Sequence, residues 1–258
     1  MPETDAAMRM LLSSLIAATL LAGSAQAAPF ECRPATMTAA DASLPVPAAR
    51  LRQDRKLDIL AIGSSSTEGI GASSRDKTYP ERLRALLEQA WPQTKIEMVN
   101  AGIGGETAPQ TFARLRKLVA ERHFDLVIWQ VGTNDAVTGG DMAVFKNLIR
   151  EGVDIVRGAG AGLVILDQQF YPGIKDPQRY ASYVAAVAET ARERSVPVLS
   201  RYAMMTAWHG RDAKSFGSTL AGDRFHMSDI GYDCLARGMA LSFAAMAAKG
   251  QPVAEAGR

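Results

Sequence analysis

Five residues with the means to do chemistry stand in four short, widely separated segments: Gly63-Ser64-Ser65-Ser66-Thr67, Asn100-Ala101-Gly102-Ile103-Gly104-Gly105, Gly132-Thr133-Asn134-Asp135 and Asp223-Arg224-Phe225-His226. They supply a hydroxyl at Ser65, a backbone amide at Gly105, a carboxamide at Asn134, and an imidazole at His226 with the Asp223 carboxylate three residues before it. A nucleophile, oxyanion donors, and a base with its orienter are the parts that acyl transfer through a tetrahedral intermediate requires. A serine hydroxyl is weak until a base takes its proton, and imidazole suits that task near neutrality. The chain has three histidines. His123 precedes a predicted strand and so belongs to the opposite sheet edge, whereas His209 shares a late loop with His226. His226 is preferred because Asp223 can aim its carboxylate at Nδ1. The oxyanion donors are read as the N–H groups of Ser65 and Gly105 and the side-chain amide of Asn134. Gly105 suits a close backbone approach because it lacks a Cβ, an argument that Gly102 and Gly104 share. Asn134 would serve equally as a turn residue between Gly132 and Asp135.

The elements that must carry these residues alternate along the chain. Apolar strands are predicted at 57–62, 95–100, 124–131, 162–166 and around 196–199, with helices over 79–91, from 107 onward, 141–156, 177–194 and 228–248. Thr78 with Glu81, and Thr107 with Gln110, have the spacing of capping boxes. The nearly unbroken apolar run 124–131 is what a strand covered on both faces needs. Strands alternating with helices at this spacing read as right-handed βαβ units, hence an α/β fold with a parallel sheet between two helical layers. In such a sheet ligands bind beyond the carboxyl ends of the strands. Ser65, Gly105 and Asn134 follow the first, second and third strands, and His226 lies in the loop after the fifth, so all share one edge.

Composition sets the remaining bounds. The chain has 258 residues, is 47% hydrophobic, and carries a formal net charge of +2. That charge is too small and too evenly spread for a nucleic-acid surface, and no nucleic-acid partner is expected. Residues 1–27 have the pattern of a secretory signal peptide, with Arg9, an apolar run over 10–21 and Ala25-Gln26-Ala27 at its end. Glu3 and Asp5 ahead of that run are atypical, and a start at Met8 would explain them. The run is shorter than a membrane span needs, so export to the periplasm or the medium is expected, with no stable membrane anchor after leader cleavage. Residues 28–56 read as an N-terminal tail, 57–250 as the domain and 251–258 as a C-terminal tail. Cys32 and Cys234 can close a disulfide in an oxidising compartment; alternatively Cys234 is a buried thiol and Cys32 lies in the tail. Two cysteines and three histidines give no zinc spacing.

With those residues in view, the chain resembles the SGNH hydrolases, the GDSL-like esterase and lipase superfamily, whose four blocks contribute Ser, Gly, Asn and His. The corresponding blocks here are Gly-Ser-Ser-Ser-Thr-Glu-Gly at Ser65, Asn-Ala-Gly-Ile-Gly-Gly-Glu-Thr at Gly105, Gly-Thr-Asn-Asp at Asn134 and Asp-x-x-His at His226. The resemblance spans about residues 57–245. It implies a flavodoxin-like three-layer α/β/α sandwich with a five-stranded parallel sheet, a Ser65–His226–Asp223 triad, ester hydrolysis through an acyl-enzyme, and neither metal nor cofactor. Ser64 and Ser66 replace the Asp and Leu of the usual Gly-Asp-Ser-Leu, which leaves Ser64 or Ser66 as physical alternatives for the nucleophile. The expected substrate is a small-molecule or carbohydrate ester, short-chain or acetyl, since no long apolar lid is visible. Gln168, Gln169, Phe170, Tyr171 and Trp208 are candidates for lining its pocket. The competing functions are an O-acyltransferase with the same site, a noncatalytic glycan-binding module, and an FMN carrier whose Ser/Thr-rich first loop cradles a phosphate.

Overall fold

The structure is a computed structural model that describes residues 29–249 apart from Ala40 and Asp54; the leader and the C-terminal tail lie outside these residues. Five strands form one parallel sheet: β1 (Lys56–Gly63), β2 (Lys95–Gly102), β3 (Leu126–Gln130), β4 (Gly162–Leu166) and β5 (Val198–Leu199). Their spatial order is β2-β1-β3-β4-β5, so the chain winds outward in one direction to β2 and in the other from β3. Helices cover both faces, giving the three-layer α/β/α sandwich.

Strand alternation explains the two cores. Successive side chains point to opposite faces. Leu57 and Ile59, Leu126 and Ile128, and Val164 and Leu166 therefore enter one apolar cluster, while Leu60 and Ile62, Val127 and Trp129, and Leu163 and Ile165 enter the other. The first face is covered by α1 (Pro45–Gln53), α3 (Tyr79–Ala90) and α10 (Asp229–Lys249). The second is covered by α4 (Ala108–Glu121), α6 (Met142–Gly158) and α7 (Pro177–Glu193), which contribute Leu115, Ile149 and Val187. Short helices α2 (Ser65–Glu68) and α5 (Thr133–Thr138) begin where β1 and β3 end. Two more, α8 (Arg201–Arg211) and α9 (Ala213–Phe216), occupy the stretch expected to be a long loop after β5.

The tail reading needs correction for the described part of 28–56. Met37 and Leu44 are buried in the first core, Phe30 and Leu51 pack against it, and α1 lies beside β1. Cys32 is joined to Cys234 of α10 by a disulfide, with Cα atoms 5.6 Å apart. Alanine- and proline-rich composition hid a segment whose few large apolar side chains, among them Phe30, Met37, Leu44 and Leu51, are buried in or packed against the core. One capping box is also absent: Thr78 Oγ1 donates to the Arg75 carbonyl, while Glu81 is paired with Arg84 and Arg75. At α4, by contrast, Gln110 Oε1 accepts from the Thr107 amide at 2.9 Å.

Candidate active site

The first strand ends at Gly63 and the chain turns at once into α2, which fixes three consecutive hydroxyls in different directions. Ser64 donates its amide (2.8 Å) and its hydroxyl (3.1 Å) to Gln130 Oε1 at the end of β3. Ser66 donates to Gln169 Oε1 at 3.0 Å, and Thr67 lies within hydrogen-bond distance of Tyr79 and Gln130. All three are buried. Ser65 alone faces the histidine: its Oγ is 2.9 Å from His226 Nε2. The hydroxyls of Ser64 and Ser66 are thus committed to internal partners, which removes both as nucleophiles. It also removes the phosphate cradle that an FMN carrier would need, because these groups point inward.

His226 is set by the turn that precedes it. Asp223 Oδ1 accepts from the Phe225 and His226 amides, each at 3.0 Å, leaving Oδ2 2.6 Å from His226 Nδ1. Between them Arg224 takes a left-handed conformation, φ 56°, disfavoured for a residue with a Cβ, and the two amide bonds hold it there. Partial burial pushes the Asp223 carboxyl up, but the bonds from the imidazole and the two amides outweigh it. Its pKa lies below the ordinary aspartate value, so the carboxylate is ionised and accepts a hydrogen bond from Nδ1–H, the tautomer that turns the Nε2 lone pair toward Ser65. His123 sits at the other sheet edge beside Asp125. His209 lies on α8 between the rings of Phe170 and Phe216, not in a loop.

The three glycines of the second block separate by role. A Cβ at Gly102 would stand 1.9 Å from the Glu68 amide nitrogen, so this is the glycine that allows close backbone approach. Gly104 donates its amide to Glu68 Oε2 at 2.6 Å. Gly105 has φ +80°, and a Cβ there would meet nothing within 4 Å; the requirement is conformational, not the lack of space expected from the sequence. Among the described residues, the Ser65 and Gly105 amides have no protein acceptor. Asn134 Nδ2 donates to the Glu106 carbonyl at 2.8 Å, leaving its second hydrogen free.

Several residues that hold this arrangement were not singled out in the sequence. Asp135 accepts from the Ala108 amide at 3.0 Å, so Asn134 and Asp135 together clamp residues 106–108. Burial raises the Asp135 pKa despite that bond. Arg114 pairs with Glu106 and donates to the Ala101 and Gly63 carbonyls, linking the ends of β1 and β2. Gln130 was read only as part of a strand. Its signal was a polar side chain ending an otherwise apolar run.

The proposed pocket residues divide. Gln168 and Gln169 are fully buried, and Trp208 packs in the first core against Phe30; none of the three lines an open pocket. Polar residues following a strand had suggested solvent or substrate, but here they face inward. Phe170 is half-buried against Tyr202, His209 and Phe216. Tyr171 packs on Phe225, which in turn stacks on His226, and it forms a wall of a cavity of about 300 Å³ with Val137, Lys175 and Arg179. A larger cleft of about 460 Å³, between Ala39, Asp41, Ala42 and Ser43 and the end of α7, contains none of the site residues. Among the described residues no group of three or more His, Cys, Asp and Glu side chains is placed to hold a metal, and no helix is long and apolar enough to cross a membrane.

Comparison with known proteins places this geometry in a lineage. A model of the Non-GDSL lipase-like family matches residues 31–249. The chain belongs to that family, within the SGNH hydrolase superfamily. The family's description agrees with Ser64 and Ser66 standing where Gly-Asp-Ser-Leu has Asp and Leu. The chain is 28% identical over 146 residues to "Thioesterase 1/protease 1/lysophospholipase L1" of Escherichia coli, a match covering 55% of this chain and 64% of that protein. The alignment thus spans just under two thirds of that relative's length. It is 27% identical over 201 residues to an acetylxylan esterase of Geobacillus stearothermophilus, covering 69% of this chain and 87% of the relative. The fold of this lipase-like protein superposes on a two-domain esterase active on acetylated mannans with TM-score 0.65 and 20% identity, covering 83% of this chain and 57% of that one.

Proposed function

We propose that the protein is a serine esterase that hydrolyses short-chain or acetyl esters, carried on a small alcohol or a carbohydrate. The observation that carries the reading is the continuous proton path from Ser65 Oγ to His226 Nε2 at 2.9 Å and from His226 Nδ1 to Asp223 at 2.6 Å. In the forward step His226 Nε2 takes the Ser65 proton as Oγ bonds to the ester carbonyl carbon and the carbonyl π pair moves to oxygen. The Ser65 and Gly105 amides and the free Asn134 hydrogen receive that oxyanion. Collapse expels the alkoxide, which takes the proton from His226, and leaves an acyl-enzyme. Water then repeats the sequence, with His226 as base, to release the acid and restore Ser65. The oxyanion donors are held before the substrate arrives, which is what makes them effective.

The preference for short acyl groups on a sugar follows two supports. The relatives named as an acetylxylan esterase and as an esterase active on acetylated mannans act on such esters. The cavity beside Tyr171, linked to His226 through Phe225, offers an aromatic wall against which a sugar ring can stack. The Cys32–Cys234 disulfide fits an exported protein in an oxidising compartment. The deciding experiment is a panel of p-nitrophenyl acyl esters and acetylated sugars run with the wild type and Ser65→Ala. Hydrolysis by the wild type that Ser65→Ala abolishes is expected. Wild-type inertness across the panel, or turnover surviving in Ser65→Ala, refutes the reading.

A further inference from the structure

Gln169 lies just beyond β4 and is fully buried. Its carboxamide reaches in two directions. Oε1 accepts from Ser66 Oγ at 3.0 Å, and Nε2 donates to the Phe225 carbonyl at 2.8 Å. The Phe225 carbonyl can only accept, so the NH₂ must face it and the oxygen must face Ser66. The backbone of Gln169 is itself fixed, because Tyr180 donates its phenol to the Gln169 carbonyl at 2.6 Å. Ser66 directly follows Ser65, and Phe225 directly precedes His226. Among the described residues no other side chain hydrogen-bonds to both of these flanking positions.

We propose that Gln169 is a positioning residue that sets the separation between nucleophile and base. The inference rests on the esterase reading of Ser65 and His226. The two loops that meet at the 2.9 Å contact come from opposite ends of the domain sequence. The Asp223 loop holds its own shape through Asp223, through the Ala221 amide on the His226 carbonyl and through the Arg224 amide on the Ala221 carbonyl. Those bonds fix the imidazole relative to its own turn, not relative to Ser65. Gln169 supplies that second relation through one rigid amide plane. Methionine would fill the same volume and make neither bond.

The test uses the whole protein with p-nitrophenyl acetate. Displacing reacting groups by about 1 Å lowers turnover by about 100-fold. Gln169→Met is therefore expected to lower kcat by about 10- to 100-fold, with KM changed less than about two-fold. Ser66→Ala breaks one end of the same bridge and gives a smaller fall in kcat. Because both act through one link, the double variant is expected to be no slower than Gln169→Met alone. A folded Gln169→Met with wild-type kcat, or losses that simply multiply in the double variant, overturns the proposal. If Gln169→Met shows no cooperative melting transition, Ser66→Ala decides alone, and an unchanged kcat there overturns it. Ser65→Ala run in parallel separates the two claims: turnover surviving in that variant refutes the esterase reading, whereas its loss beside a fully active Gln169→Met refutes only the bridge.

Discussion

Replacing Asp223 by Asn should damage activity more, and stability less, than replacing it by Ala. In the native turn Asp223 Oδ1 accepts from two backbone amides and Oδ2 from His226 Nδ1. An asparagine keeps the first two bonds only by placing its oxygen on the amides, which turns its NH₂ toward Nδ1. That group can only donate, so the ring takes the tautomer with its proton on Nε2, and Ser65 then faces a donor instead of a base. Relative to the wild type, the productive tautomer in the Asn variant lacks the hydrogen bond to a carboxylate, about 1.5–3 kcal/mol, and sets two donors against each other, about 1–3 kcal/mol more. Together these approach the roughly 10⁴-fold loss known for the same change in a serine triad, at about 1.36 kcal/mol per decade. The Asp223 side chain is 46% exposed, so water partly satisfies the misplaced donor, and the expected fall in kcat/KM is nearer 10³-fold. Alanine leaves the ring free to adopt either tautomer, so its fall in kcat/KM should be smaller than that of the Asn variant. It also strips the acceptor from both amides beside the left-handed Arg224, so its melting temperature should fall further than that of the Asn variant. Steady-state hydrolysis of p-nitrophenyl acetate and thermal melting of both variants check this. An Asn variant above a tenth of wild-type kcat/KM, or an Ala variant that is the slower of the two, would refute the tautomer reasoning.

Asn134→Ala removes the proposed oxyanion donor and its bond to Glu106; kcat should fall about 10²- to 10³-fold with little change in KM, as steady-state kinetics would show. The disulfide closes a loop with a sequence separation of 202, for which chain entropy gives about 5 kcal/mol. Reduction, or the Cys32→Ala/Cys234→Ala double variant, should therefore lower Tm by on the order of 10–20 °C, and an unchanged Tm with both thiols free would count against that contribution. Carbon-detected titration should find the Asp167 carboxyl changing near pH 6, since burial raises it to about 6 against the bonds from Tyr202 and Ser200 and the charge of Arg201. Asp223 should instead change below the ordinary aspartate value. The signs are opposite. Asp167 adds a destabilising contribution that grows as pH rises from the unfolded aspartate pKa to about 6, whereas Asp223 adds stability above the unfolded value that is lost as pH falls through its native pKa.

The sheet was legible because its strands are fed by side chains for two opposed cores, leaving the apolar runs of β1, β3 and β4 nearly unbroken. The helices framed by those strands followed with ends within a few residues. That Ser65, Asp223 and His226 meet at one sheet edge was legible through residue type and order. What escaped notice depends on contacts remote in sequence. Helix α8 carries the fully buried Arg201, which donates to the Asp167 carbonyl; a charged residue at a core position breaks the apolar spacing that would announce a helix. Helix α10 packs against both α3 and α1, so much of its circumference is apolar, and length more than periodicity marked it. Gln130 and Gln169 are polar but satisfied by groups from distant segments, and composition alone assigns such residues to solvent or substrate. The lack of a Cβ suits Gly102, Gly104 and Gly105 alike, whereas a left-handed backbone, φ +80°, distinguishes Gly105 from the other two.

The supports of the site are unevenly distributed, and the chemistry gives a reason. Ser64, Ser66 and Thr67 around the nucleophile are buried and bonded to Gln130, Gln169 and Tyr79. The Gly105 segment is clamped by Asn134 and Asp135, and its Glu106 is paired with Arg114. The Asp223–His226 turn is more exposed and is held mainly by its own short-range bonds. Oxyanion donors act through fixed aim, and motion there only weakens the field they present to the developing charge. In the proposed cycle the base has two oxygens to serve, accepting a proton from Ser65 Oγ and then delivering it to the leaving alkoxide. Asp223 holds the ring at Nδ1 and Gln169 holds the carbonyl that precedes it, which keeps Nε2 at the Ser65 hydroxyl. The rigid wall and the tethered base are therefore complementary parts of one design.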